Sequence, residues 1–136
     1  MTGKRTVLTA ALCLFSGAIS AWAHHAFTAE FDAEQPVQLR GIVTRVELIN
    51  PHSWIHIDVT GPDGEVVSWA IEGGTPNTLF RRGITQDSLR PGAEVIVDGY
   101  RALDGSHRAN GRDVTFPDGR KIFLGGSSPG APGEPQ

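Results

Sequence analysis

The chain has 136 residues, with 12 Lys+Arg against 15 Asp+Glu and a formal net charge of −3. This acidic balance argues against nucleic acid as a partner, because phosphate binding is driven mainly by Lys and Arg. The single cysteine excludes an intrachain disulfide, and the length is enough for one domain-sized core.

The first five residues, MTGKR, are short and basic, and the following TVLTAALCLFSGAIS is uncharged and largely apolar. Ala21-Trp22-Ala23 then supplies the small-residue cleavage signal, which completes the three-part layout of a secretory signal peptide. The apolar run is shorter than the roughly 18–20 residues a membrane span needs. Cys13 lies inside that run, not after it where a lipid-attachment cysteine would stand. Residues 1–23 are therefore expected to be removed on export, which places the mature chain in the periplasm or outside the cell. Cleavage after Ala23 leaves 113 residues, removes Lys4 and Arg5, and brings the net charge to −5. Met1 and Cys13 go as well, so the mature chain is expected to offer neither a thiolate nucleophile nor a sulfur ligand.

Residues 24–36 show no clear periodicity and end at Pro36, which reads as an N-terminal arm. Beyond it, three Asp-Gly turn signals recur, PDGE at 62–65, LDGS at 103–106 and PDGR at 117–120, each between runs rich in β-branched and aromatic residues. They predict strands over Val37–Leu48, Ser53–Thr60, Val66–Ile71, Glu94–Arg101, Arg108–Phe116 and Lys121–Leu124. TPNTLFRRG predicts one short helix, with Thr75 as cap, Pro76 in the first turn and Gly83 at the stop. Arg81 and Arg82 at its end are expected to complement the helix dipole. The tail from Gly125, GGSSPGAPGEPQ, has almost nothing to bury and reads as disordered. Three strands, a helix and two or three more strands are the order of a small five- to six-stranded OB-like β-barrel over residues 37–124, with the helix between strands three and four. A half-open sandwich or roll is the alternative.

Alternation sorts the faces. In HSWIHIDV, Ile55, Ile57 and Val59 share one face, and His52, Trp54, His56 and Asp58 share the other. The aliphatic set belongs inside with Trp69, Val95 and Val97, which leaves a tryptophan between two histidines on the outer face. Phe27 and Phe31 of the arm are candidates to lie over Trp54, and Trp54 with Phe27 is a candidate partner surface.

The mature chain has five histidines, His24, His25, His52, His56 and His107. Without sulfur, the metals that suit it are those accepting imidazole and amine nitrogen, chiefly Cu(II) and Zn(II), and Ni(II). If cleavage follows Ala23, the free amine and imidazole of His24 form a chelate. A third nitrogen from His25, His52 or His56 completes the T-shaped set that Cu(II) favours. In a regular strand the Cα atoms of His52 and His56 are roughly 13 Å apart, so they do not share one ion unless the chain bends near Pro51. His107 follows a turn and reads as exposed. No Gly-x-Ser-x-Gly elbow and no phosphate loop is present, and nothing in the sequence pairs Glu47, Asp58 or Glu72 with a base. The chain reads as a binding protein before an enzyme, with a copper-dependent oxidase as the enzymatic alternative.

The start HHAF, then EFD, GIVTRVELINPHSWIHIDV and LRPGAEVIVDGYRALDGSHRANGRDVTFPDGRK resemble a family of exported bacterial proteins known as a domain of unknown function. The resemblance covers essentially the whole mature chain, and its most specific pieces are His24-His25-x-Phe27 and Asn50-Pro51-His52. Ala26 stands where such proteins commonly have serine. The resemblance implies export and a small β-barrel and carries no activity. Two functional expectations follow. One is a periplasmic protein binding Cu(II) or Zn(II) through His24, His25 and one of His52 or His56. The other is a metal-independent module that binds a protein, glycan or small ligand on the His52/Trp54/His56 face.

Overall fold

The computed structural model describes residues 27–125. The expected signal peptide, His24, His25 and all of the expected tail except Gly125 lie outside the described residues. Among the described residues, no helix is long and apolar enough to cross a membrane. After a helical turn at 27–30, the elements in chain order are β1 (Phe31–Leu48), β2 (Ser53–Thr60), β3 (Val66–Gly73), α1 (Pro76–Arg81), β4 (Glu94–Ala102), β5 (Arg108–Thr115) and β6 (Lys121–Phe123).

The turn chemistry is as the sequence implies. Gly64, Gly105 and Gly119 of the three Asp-Gly turns all have positive φ, a conformation open to glycine at little cost. In α1 the Thr78 N–H donates to Thr75 Oγ1 at 3.3 Å, and Pro76 occupies the first turn. Gly83, with φ 86°, stops the helix while the Gly83 and Ile84 N–H groups donate to the Phe80 and Leu79 carbonyls. Arg82 departs from the dipole role expected of it. Its Nη1 donates to the Phe123 and Gly125 carbonyls and its guanidinium lies over the Phe123 ring, so it fastens the end of the described chain to the helix.

The strands form a mainly antiparallel six-stranded sheet in the order β3-β2-β1-β4-β5-β6, and a parallel β3–β5 pairing brings five of them into a near-closed ring. With α1 between β3 and β4, this is the expected OB-like barrel. Cross-strand partners can be followed around the ring from Pro36 on β1 through Tyr100, Asn110, Glu72 and Trp54, returning to β1 at Glu47, eleven residues further on. Such a stagger is what a sheet needs to close on itself with tilted strands. β1 is long because it serves both neighbours, pairing β4 with its first part and β2 with its second, and its β2 register shifts between Val43 and Arg45.

The barrel interior holds Val43, Ile55, Ile57, Trp69, Ile71, Val95, Val97 and Val114, and Ile55, Ile57, Trp69, Val95 and Val97 lie inside as alternation required. Leu79 from α1, Ile84 and Leu89 from the segment after it, and Leu124 join this core, all fully buried. β1 begins six residues before the predicted boundary, because Phe31 pairs with Ala102 and Pro36 with Tyr100 across an irregular stretch. That irregularity interrupts the two-residue alternation by which a strand is read from sequence.

The seam where β3 meets β5 is tight. A β-carbon at Gly111 would come within 2.7 Å of Ile71 Cγ2 and 2.9 Å of Leu124 Cδ1. Gly111→Ala is expected to lower stability by about 1–3 kcal/mol through overpacking. Urea unfolding should show it as a lower midpoint with an unchanged slope. An unchanged midpoint would mean that the seam gives way easily.

Candidate functional site

Trp54 stands half-buried on the outer face of β2, with Glu47 opposite it on β1 and Glu72 opposite it on β3. In the next row His56 lies between Arg45 and Ala70, and beyond that Asp58 accepts a 2.5 Å hydrogen bond from the Ser68 hydroxyl. Both histidines have carboxylate partners, and they turn to opposite sides. His52 precedes β2, after the cis Asn50-Pro51 bond, and its Nδ1 contacts Glu72 Oε1 towards β3. His56 Nε2 lies 3.1 Å from Glu47 Oε2 towards β1. Arg45 is 3.1 Å from that same nitrogen and 3.2 Å from Glu47 Oε1.

The two pairs differ in burial. The Glu72 side chain is only 4% exposed, whereas those of Glu47 and Arg45 are 33% and 60% exposed. A carboxylate as enclosed as Glu72 requires polar partners, and His52 Nδ1 is in contact with it. When the ring proton sits on Nδ1, the neutral ring leaves its Nε2 lone pair available, and the His52 side chain is 32% exposed. In His56 it is Nε2 that is engaged. These pairings answer the question left by Glu47 and Glu72, whose partners only the strand register identifies.

Phe27 occupies a different place from the one expected. It is fully buried in a small cluster with Phe31, Tyr100 and Ala102, separate from the main core. Neither Phe27 nor Phe31 covers Trp54, and Phe27 is not an exposed partner surface. The physical reason is the β1–β4 pairing, which carries this part of the arm to the outer end of β4. Trp54 instead borders a shallow depression of about 340 Å³ with Glu47, Ile49, Asn50, Pro51 and His52, at whose edge Ile49 is 64% exposed. His107 is exposed and packs against the Trp69 ring, with centroids 5.2 Å apart. Among the described residues, no group of three or more His, Cys, Asp or Glu side chains is placed to hold a metal ion. The resolved pKa shifts also lie away from this face. Asp104 and Asp118 are held below the usual carboxylate range by hydrogen bonds from Ser106 and Arg120, and the hydrogen bond to Asp113 raises Arg112.

The family model for a family of unknown function, DUF6152, matches residues 11–111. The chain belongs to this family. The DUF6152 match takes in His24, His25, Phe27, the whole of β1 to β4, Glu72 and the first part of β5, so every residue of the outer face described above lies within it. No curated protein matches the chain.

The two tryptophans of the described barrel should behave differently when truncated. Trp69→Ala is expected to cost about 3–5 kcal/mol, as for other large core aromatics. Trp54→Ala is expected to cost about 1 kcal/mol or less, the scale of cross-strand surface pairs. Chemical denaturation of the two variants checks the contrast, and equal losses would place Trp54 in the core.

Proposed function

We propose that the chain is an exported protein that binds a Cu(II) ion, with Zn(II) as the alternative. The ligands would be the amine and imidazole of His24 as the mature N-terminal residue and Nε2 of His52. The observation that carries this reading is the His52–Glu72 pair. Metal-binding histidines characteristically donate their second ring N–H to a carboxylate, which fixes the tautomer, orients the ring and raises its basicity. His52 meets a carboxylate nearly closed off from water through Nδ1, and among the described residues its other nitrogen has no partner. His56 is the poorer ligand of the two, because its ring is turned towards β1 and the Arg45 guanidinium, 3.1 Å from Nε2, sets a positive charge beside it. Once Met1 and Cys13 have gone with the leader, the donors that remain are nitrogen and oxygen, which suits Cu(II) and Zn(II) over Cu(I). His25 stands beside the chelate as a further nitrogen donor.

A second reading is favoured by the half-buried Trp54 and the exposed Ile49 beside a shallow depression. There the face would contact a protein, glycan or small ligand without metal. Such binding would survive EDTA and disappear in Trp54→Ala.

The metal reading is tested by titrating Cu(II) into exported protein whose first residue is shown by intact mass to be His24. The control begins at Ala21. A single residue ahead of His24 would be a poor control, since an amine two residues before a histidine is itself a copper chelate. One ion should bind, and binding should weaken sharply in the Ala21-first form. Glu72→Gln should weaken it about 10–100-fold, the usual effect of losing a carboxylate behind a ligand. His52→Ala should do at least as much, and His56→Ala should change little. Equal affinities for the wild type and His52→Ala would overturn the reading.

A further inference from the structure

We infer that the depression beside Trp54 takes a neutral saccharide, with a sugar ring lying on the indole. This rests on the metal-independent reading of that face given above. The wall of the depression leaves polar groups unused. Trp54 Nε1–H, the Asn50 carboxamide and His52 Nε2 have no partner among the described residues, and all of these side chains line it. The carboxamide offers donors and an acceptor, the indole a donor, and the imidazole nitrogen either role according to its tautomer. Sugar hydroxyls both donate and accept, so a mixed set of this kind suits them. The half-buried indole, with Ile49 and Pro51 beside it, supplies the apolar surface that the C–H face of a sugar ring covers.

Charge points the same way. Of the Asp, Glu, Lys and Arg side chains, only that of Glu47 lines the depression. Arg45 Nη1 lies 3.2 Å from its Oε1, and His56 Nε2 lies 3.1 Å from its Oε2. An anion would meet this carboxylate, and a cation would have to displace Arg45 from it. A hydroxyl needs neither, because a paired carboxylate keeps lone pairs that can accept from it.

Size argues against a folded partner. At about 340 Å³ the shallow depression lies at the small end of ligand pockets, about 300–1,000 Å³. The other exposed large apolar side chains among the described residues, Ile42, Val66, Phe80 and Leu103, are not part of its wall. A stable protein interface buries about 1,000 Å² or more around an apolar centre, and Ile49 alone does not extend the depression into one. An uncharged ligand of small cross-section, with hydroxyls around an apolar face, fits what is there.

The experiment uses the exported protein in EDTA, so that no metal contributes. It is probed against an array of neutral and acidic glycans. Maltotetraose, cellotetraose, chitotetraose and any glycan that binds on the array are then titrated while the indole N–H resonances are followed by NMR. Neutral glycans should bind more tightly than acidic ones. The Trp54 indole resonance should shift, and that of buried Trp69 should stay in place. Trp54→Ala should weaken binding at least about tenfold, and Trp54→Phe, which keeps an aromatic platform without the N–H, should lose less. Asn50→Ala should weaken it about two- to tenfold, the effect of one hydrogen bond. Absence of binding by every neutral glycan, binding confined to acidic glycans, or wild-type affinity in Trp54→Ala would overturn the saccharide. A protein retained from periplasmic extract in EDTA by the wild type and lost in Trp54→Ala, with no glycan bound, would overturn the saccharide and leave the metal-independent reading standing. If neither glycan nor protein binds this face in EDTA, both fall.

Discussion

The outer face of β2 and β3 is organised by the enclosure of one carboxylate. Glu72 is directed away from the aliphatic core, yet it is nearly as buried as the residues inside it. Trp54 pairs with it on one side and Asn110, also buried, on the other. A charge removed from water in this way costs several kcal/mol unless it is paired and hydrogen-bonded. The chain meets that demand by turning at Asn50-Pro51 just before β2, which sets His52 over Glu72. The imidazole is thereby fixed in direction as well as position, with Nδ1 committed and Nε2 without a partner among the described residues. Histidine orientation on this face is thus a consequence of satisfying a carboxylate.

Closure of the barrel is what encloses that carboxylate. The parallel β3–β5 seam places Asn110 beside Glu72, and the short distances around Gly111 show how closely the two strands approach there. The same closure sets Tyr100 two strands from Glu72, so the aromatic cluster that receives Phe27 and the polar row that holds His52 belong to one continuous outer surface. β1 links them in sequence. Its early residues lie against β4 beside that cluster, and its last residues pair β2 beside Trp54.

What could be read from the sequence was whatever local chemistry determines. Asp-Gly turns with Gly64, Gly105 and Gly119, the cap at Thr75 and the alternation that sends Ile55, Ile57 and Trp69 inward all depend on residues a few positions apart. The partnering of His52 with Glu72 depends on the register between β2 and β3, which leaves no mark in one sequence, and on a turn before β2 that Pro51 allowed but did not fix. Phe27 is the clearest divergence. Its apolar character suggested a cover for Trp54, but the strand it precedes pairs with β4, so the ring is buried against Tyr100 instead. The extension of β1 back to Phe31 was obscured for the related reason that an irregular pairing breaks the alternation.

The two histidine–carboxylate pairs also show why a contact by itself does not decide which ring a metal would take. The His56–Glu47 pair is partly exposed, and such pairs contribute about 0–1 kcal/mol, too little to keep a divalent ion from claiming Nε2. What disfavours His56 on the proposed reading is direction and charge, since its ring turns towards β1 and the Arg45 guanidinium lies 3.1 Å from Nε2. His52 differs in kind. Its carboxylate is buried, so a cation at Nε2 would lie close to a negative charge that solvent screens poorly, and attraction between the two would be stronger than at the surface. Glu72 would then serve the folded chain and the bound ion through the same imidazole, and a single substitution there would disturb both.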